Sequence, residues 1–315
     1  MFEAHEDYTL ARLQAPRAAS GSRNEQIAGP ARSWEELGSP GQVPLYGVVA
    51  LRDTHGLEVE GYRGIRREDS GEVVSVVSDR YALVQHRMIA ESVHSLGVTL
   101  EQENPESGRA EVAPGFPREQ IRLYANGRRM EIKLVIGRKF VLDGSNAFYP
   151  GIRVYNSLDG AWALRMEGFA LRLACTNQLY AGARSCLEFR ELHLTSSEDL
   201  LSRFQKATYE ILEHFDTTLG LYADARGHRM PIADFVPALV SEGLPLRHVN
   251  RMADRLPEYF GSVTWGEISR WDAYQIATDY LTHEVHVNPE RERQFERSAA
   301  RALLLPESDE ASAMP

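Results

Sequence analysis

Hydrophobic and polar residues change their spacing once along this chain, near residue 196. From about residue 44 to residue 193 they alternate in short runs such as LYGVVALR and FALRLACT, which is typical of β-strands. Beyond residue 196 the apolar residues recur at steps of three and four, which is typical of one face of a helix. The pattern therefore predicts an α+β fold, in which a mainly antiparallel sheet with a long packing helix is followed by a helical C-terminal region.

The same pattern divides the chain into four parts. Residues 1–42 hold scattered Pro, Gly, Ser and Arg without periodicity, and residues 306–315 are short and acidic, so both segments are predicted to be disordered. Between them we predict a mainly antiparallel β domain over residues 43–195 and a helical region over residues 196–305.

Three local signals place elements early in the β domain. The runs LYGVVALR and LEVEGYRGI flank a turn at His55-Gly56 and predict a hairpin. Residues 72–86 predict a strand, a turn and the entry to a helix that carries Met88 and Leu96. The next run, VTLEQE at residues 98–103, is predicted to be another strand.

The pair Asn126-Gly127 predicts a second hairpin, because both residues tolerate the positive φ angles of a type I′ turn. One face of this hairpin is then apolar, with Leu123 opposite Met130 and Ile121 opposite Ile132. The other face is mostly charged, with Tyr124 opposite Arg129, Arg122 opposite Glu131 and Gln120 opposite Lys133. Cations and an aromatic ring on an open strand face suit single-stranded nucleic acid, although an ordinary solvated face has the same composition.

A third turn signal, Asp159-Gly160, lies in the stretch YNSLDGAWALRMEGFALRLACTNQLYAG, residues 155–182. Alternation along its last strand puts Cys175 on the apolar face and Arg172 on the other face. The candidate nucleic-acid-binding residues of these strands are Arg122, Tyr124, Arg129, Lys133, Arg165 and Arg172.

This stretch resembles the core of a family found in phages, plasmids and bacterial genomic islands, known as domain of unknown function 932. In that family an N-S-x-D-G element is followed by an R-L-x-C-x-N element, and the matching residues here are Asn156, Ser157, Asp159, Gly160, Arg172, Leu173, Cys175 and Asn177. A second match is the helix W-x-x-Y-N-x-x-T-x-x-x-T-H, which begins at Trp271, with Gln275 where the family usually shows Asn. The resemblance spans roughly residues 74–305 and implies no activity, since none is established for the family.

The core motif has two interpretations. We expect Asn156, Asp159, Arg172 and Asn177 to converge on one small region, because the hairpin at Asp159-Gly160 returns the chain toward Asn156. If the motif is architectural, backbone groups satisfy its polar atoms; if it is functional, those atoms are available to a ligand. Arg172 is then either paired with Asp159 or exposed beside Arg165, and we favour a structural role for Asp159.

Composition narrows the classes of function. The chain has 315 residues, 43% of them apolar, which is enough for a sizeable core. No apolar run approaches the roughly 20 residues of a membrane span, and the start MFEAHEDYTL is acidic, so we expect a cytoplasmic protein without a membrane partner. Cys175 and Cys186 lack metal-ligand spacing, and Cys175 is expected to be buried and unpaired with Cys186.

Familiar catalytic motifs are absent from the sequence. It contains no G-x-x-x-x-G-K-[ST] loop, no G-x-S-x-G elbow and no H-E-x-x-H pair. His283, Glu284 and His286 come nearest to a metal cluster, but they run directly into Asn288-Pro289 at a helix end. We therefore predict no metal and no cofactor, and we favour a binding protein over an enzyme.

Charge is spread unevenly along the chain. The net charge is −10, yet residues 118–190 hold twelve Lys or Arg against six Asp or Glu, which leaves −16 for the rest. Almost all the cations are arginines, which a GC-rich genome explains as well as phosphate recognition does.

Three functions are compatible with these observations. The first is a mobile-element protein that binds nucleic acid, with single-stranded DNA in recombination or replication as the leading ligand, by analogy with phage annealing proteins. The second is a nucleic-acid-processing enzyme, and the third is a protein-interaction or assembly factor, for example one that counters host defence. Homo-oligomerisation is compatible with all three.

Overall fold

The computed structural model describes residues 32–33, 39–103, 119–136, 140–143, 146–172, 178–180, 188–191, 197–213, 215–257, 266–285, 287 and 289–304. Predictions for other residues, including Cys175, Asn177, Cys186, His286 and the acidic tail, lie outside this description. Within the N-terminal segment predicted to be disordered, residues 32–33 form a strand and residues 40–42 form a 3-10 turn.

The described elements are, in chain order, β1 (Arg32–Ser33), β2 (Tyr46–Arg52), β3 (Glu58–Arg67), β4 (Val73–Ser78), α1 (His86–Glu103), β5 (Glu119–Tyr124), β6 (Arg129–Val135), β7 (Phe140–Asp143), β8 (Asn146–Ser157), β9 (Leu164–Arg172), β10 (Gln178–Tyr180), β11 (Glu188–Glu191), α2 (Ser197–Glu213), α3 (Phe215–Gly227), β12 (Arg229–Pro231), α4 (Phe235–Ser241), α5 (Leu246–Ala253), β13 (Glu267–Ser269), α6 (Arg270–His283) and α7 (Pro289–Leu304).

All described strand pairs are antiparallel, so the predicted α+β class is confirmed. The main sheet has the order β1-β5-β6-β8-β9-β10, and β7 and β11 add to β8 and β9. A second sheet has the order β2-β3-β4, and β12 pairs with β13.

Both predicted N-terminal hairpins are present. Strands β2 and β3 are joined across the turn that contains Gly56, whose φ is +80°. Strands β5 and β6 have the predicted register, with Leu123 opposite Met130 and Tyr124 opposite Arg129. Asn126 and Gly127 have φ angles of 57° and 81°, as a type I′ turn requires.

The prediction of a strand at residues 98–103 is wrong, because these residues are the last turns of α1. Alternation over six residues is too short to separate a strand from a helix end. Gly97 lies inside this helix, where a β-carbon would approach Glu119 Oε1 to 2.9 Å and Leu134 Cδ1 to 3.2 Å. The glycine therefore allows α1 to pack closely on the sheet instead of ending the helix.

The largest hydrophobic core joins the β part to the helical part. It includes Ile132 and Val154 from the sheet, Val93 from α1, and Trp271 and Leu303 from the C-terminal helices. The residues that alternate with these along each strand point to the second face of the sheet. Helix α7 covers that face through the ion pairs Arg153–Glu296 and Glu167–Arg293. Both faces of the central strands are therefore buried.

Gly151 marks the tightest approach within the sheet. A β-carbon at this position would lie 2.5 Å from the Phe169 ring and 2.7 Å from the Leu134 carbonyl oxygen. We expect Gly151→Ala to lower the free energy of unfolding by about 1–3 kcal/mol through overpacking, as measured by urea denaturation. Gly220→Ala is the matched control, since it adds the same atom to open space in α3 and should stabilise by about 0.5–1 kcal/mol. Equal effects of the two changes would contradict this account.

Candidate functional site

The start of the core motif is tied to backbone groups. Asn156 is fully buried, and its Nδ2 donates to the Val84 carbonyl oxygen at 3.0 Å and to His86 Nδ1 at 2.8 Å. His86 Nε2 lies 3.1 Å from the Gly127 carbonyl oxygen. Because a carbonyl oxygen can only accept, the proton of this neutral imidazole is on Nε2. Asn156 and His86 thus link β8 to the start of α1 and to the β5–β6 turn.

Ser157 and Asp159 hold the turn between β8 and β9. Ser157 Oγ donates to the Trp162 carbonyl oxygen at 2.9 Å and accepts from the Trp162 amide at 3.0 Å. Asp159 Oδ1 accepts from the Ala161 amide at 3.1 Å, and Oδ2 accepts from Arg129 Nε at 3.0 Å. Gly160 follows with a φ of +67°. These bonds support the architectural interpretation of Ser157 and Asp159. They also support it for the amide nitrogen of Asn156, whereas the buried Asn156 Oδ1 has no hydrogen-bond partner among the described residues.

Arg172 does not join this cluster, so the predicted convergence is wrong for this residue. The β8–β9 register places Arg172 opposite Phe148, whereas Arg165 lies opposite Tyr155 beside the turn. Strands rise about 3.3 Å per residue, which puts the Arg172 backbone roughly 25 Å from Asn156. The partner of Asp159 is Arg129, not Arg172.

The predicted nucleic-acid face has the expected register, but its expected exposure is wrong. Tyr124 and Lys133 are each only 2% exposed, and Arg122 and Arg165 are half-buried. Arg129 is held by Asp159 and lies 5.4 Å from the centre of the Trp162 ring. The physical reason is α7, which covers the second face of the sheet.

A charge network joins that face to α7. Arg153 donates two hydrogen bonds to Glu296, with Nη1–Oε2 and Nη2–Oε1 distances of 2.6 and 3.0 Å. Glu131 accepts from the Tyr124 hydroxyl at 2.9 Å and lies 3.5 Å from Lys133 Nζ. Each of these side chains is almost fully buried, so their charges are compensated mainly by one another.

Titration of the network follows from burial and pairing. Burial opposes the charged form of Glu131, but Lys133, Arg122 and Arg153 outweigh it and lower the pKa of this carboxyl. Burial lowers the pKa of Lys133, and burial also raises the pKa of Glu292. Clusters of buried titratable side chains with shifted pKa values are also typical of active sites.

Access to the network is limited. At its edge lies a cleft of about 10 Å³, lined by Tyr155, Trp162, Ala163, Arg165, Glu290 and Arg293. That space accommodates about one water molecule, so it is too small for an organic substrate. The mutual pairing of its buried charges also supports a structural role for the network.

An exposed basic surface lies elsewhere, on α5 and α7. It consists of Arg247 and Arg251 from α5, Arg291 from α7 and the partly buried ring of His248 between them. Arg247 Nε donates to His248 Nε2 at 3.3 Å, and His248 Nδ1 lies 3.0 Å from the hydroxyl oxygen of Tyr280. Burial, and then the nearby charges of the three arginines, lower the pKa of His248.

Carboxylates near this surface come from neighbouring segments, not from α5 itself. Residues 246–253 contain no Asp or Glu. Arg255 pairs with both Asp279 and Glu284, so these two carboxylates share one arginine and keep one net negative charge. Glu290 beside Arg291 and Asp254 directly after α5 are exposed acids that reduce the positive charge. A sequence signal for this surface existed in the four-residue spacing of Arg247 and Arg251, which places both on one helix face.

Comparisons with known proteins place the chain in a family. A family model described as "Domain of unknown function (DUF932)" matches residues 73–304, nearly three-quarters of the chain. The chain belongs to the DUF932 family. No curated protein and no solved structure matches it. In this DUF932 protein the match runs from the first residue of β4 to the last residue of α7, so it includes the core motif, the charge network and the basic surface.

The described residues contain neither a metal-binding cluster nor a helix able to span a membrane. Among the described residues of the DUF932 protein, no group of three or more His, Cys, Asp or Glu side chains is arranged to hold a metal ion. His283 instead lies 3.7 Å from Asp279, one turn earlier in α6. Within the same part of the chain, no helix combines the length and the apolar character that crossing a membrane requires.

The architectural role of the core motif gives a stability prediction. Asp159→Ala removes the bonds to the Ala161 amide and to Arg129, and we expect it to lower the free energy of unfolding by about 1–2 kcal/mol. Asp159→Asn keeps an oxygen for the amide and should lose less. Chemical denaturation of the three proteins measures both changes. An unchanged stability for Asp159→Ala would contradict the architectural role.

The charge network gives a coupling prediction. Arg153→Leu leaves Glu296 buried without its bidentate partner, and we expect a loss of about 3–5 kcal/mol in the free energy of unfolding. Arg153→Leu with Glu296→Leu removes both charges and should recover most of that loss. A double-mutant cycle by urea denaturation measures the coupling. Simple addition of the two single losses would show that the pair is not a unit.

Proposed function

We propose that this DUF932 protein binds nucleic acid through the basic surface of α5 and α7. The observation that carries the proposal is the grouping of three exposed arginines near His248, two of them on residues 246–253, which contain no acid. Arginine is suited to phosphate because its planar guanidinium group donates parallel hydrogen bonds to two oxygens.

The location differs from the strand face that the sequence suggested. Lys133 and Arg153 on the sheet already have carboxylate partners and are buried, so phosphate would have to displace those carboxylates. Arg247 and Arg251 are exposed, and binding there needs no rearrangement of the fold. Exposed cations release counter-ions when they contact phosphate, which is the main source of affinity for a nucleic-acid backbone.

Single-stranded DNA is the first ligand to test. The resemblance to proteins of phages and plasmids suits a role in recombination or replication of mobile-element DNA, and we propose the cytoplasm as the compartment. An enzymatic role has less support, because the cleft that the described residues form beside the buried network holds only about one water molecule.

Fluorescence anisotropy with labelled single-stranded DNA, duplex DNA and RNA at several salt concentrations tests the proposal. We expect saturable binding to single-stranded DNA. For each contacted phosphate, the logarithm of the association constant should fall by about 0.7 per tenfold rise in salt concentration. Replacing Arg247, Arg251 and Arg291 with Glu should abolish binding without changing the melting temperature by more than a few degrees.

A charge-matched control uses Arg52, Arg66 and Arg80, which are exposed on and beside the small sheet. Their replacement with Glu changes the net charge equally and should leave most of the affinity. Equal loss in both triple variants would show that only net charge matters. Absence of saturable binding to all three nucleic acids would refute the proposed function.

A further inference from the structure

The cations of the basic surface are grouped around one ring. Arg247 and Arg251 come from successive turns of α5 on either side of His248, and Arg291 lies one turn before Phe295 in α7, whose ring centre is 5.4 Å from that of His248. A groove that follows a strand needs cations spread along a path, so that each meets a different phosphate. A convergent set instead concentrates its charge on a single anionic group.

The ring at the centre of the set is fixed. His248 Nδ1 lies 3.0 Å from the hydroxyl oxygen of Tyr280, which is 1% exposed, and its ring centre lies 5.4 Å from that of Phe295. Because Arg247 Nε donates to His248 Nε2, the imidazole is a neutral acceptor there and its proton is on Nδ1. His248 thus positions the Arg247 guanidinium group through a neutral acceptor. A carboxylate in the same place would instead compete with an anionic ligand for this group.

Donor groups remain available around this point. Arg247 uses Nε on His248, which leaves the two Nη groups of this exposed side chain to face solvent. No hydrogen bond or ion pair ties the exposed Arg251 side chain to any residue that the structure describes. Two guanidinium groups therefore offer paired N–H donors beside a third cation, Arg291.

A phosphate at the end of a strand matches this arrangement better than an internal phosphodiester. An internal phosphodiester carries a single negative charge, whereas a phosphomonoester carries about −1.5 to −2 at pH 7 and offers three strong acceptor oxygens. We propose that Arg247, Arg251 and Arg291 bind the terminal phosphate of a nucleic-acid strand. This inference rests on the proposed function and specifies the part of the ligand that the basic surface recognises.

Three oligonucleotides of one sequence test it: one with a 5′-phosphate, one with a 3′-phosphate and one with hydroxyl groups at both ends. We expect one phosphorylated end to bind about tenfold more tightly than the hydroxyl form, which corresponds to one additional charged hydrogen-bonding group. Arg251→Gln should abolish this preference, and Arg251→Lys should restore only part of it, because lysine cannot donate in a bidentate manner. Arg80→Gln is the control and should keep the preference.

The outcomes separate the two proposals. Saturable binding with equal affinity for all three oligonucleotides would overturn the terminal-phosphate inference and leave the proposed function intact. No binding of any of them would refute both. Inorganic phosphate that competes at the same concentration as the phosphorylated strand would also overturn the inference, since the ligand would then be free phosphate.

Discussion

The buried ion pair between Arg153 and Glu296 connects the middle of the sheet with the last helix, 143 residues later in the chain. It is needed because both faces of the central strands are covered, so a charged side chain on either face must find a partner inside the protein. Helix α7 supplies such partners from one side, which is charged, while its other side is apolar. Glu296 faces the charged strands, while Phe295 and Leu303 lie in the main core.

This arrangement makes the two sequence-defined parts depend on each other. Without α7, Arg153, Lys133 and Glu131 would lie on an open sheet face, and the apolar residues of the main core would lose the helices they contact. The change of hydrophobic spacing near residue 196 therefore marks a change of secondary structure, but the core continues across it. The spacing of hydrophobic residues shows where secondary structure changes, but it does not show where one core ends and another begins. Packing in a core joins residues that are distant in sequence.

The sequence was sufficient for elements whose geometry is local, and the Asn126-Gly127 turn fixed the β5–β6 register correctly. It was insufficient for exposure, because alternation separates two faces without showing which one a distant helix covers. The misplacement of Arg172 is different in kind. Counting residues outward from the Asp159-Gly160 turn would have placed it far from Asn156, so the information was local and available.

An acidic chain can bind phosphate where its charges are arranged suitably. The screening length is about 8 Å at physiological ionic strength. Carboxylates farther away than this therefore scarcely reduce the attraction of phosphate to the three arginines grouped around His248. The affinity for phosphate depends more on whether the nearest acids are paired. Two of them, Asp279 and Glu284, form ion pairs with Arg255. Residues 118–190 show the converse, since their excess of cations includes Lys133 and Arg153, which carboxylates already neutralise. Charge counted along the sequence pointed to the sheet, whereas the exposure of the arginine side chains points to α5 and α7.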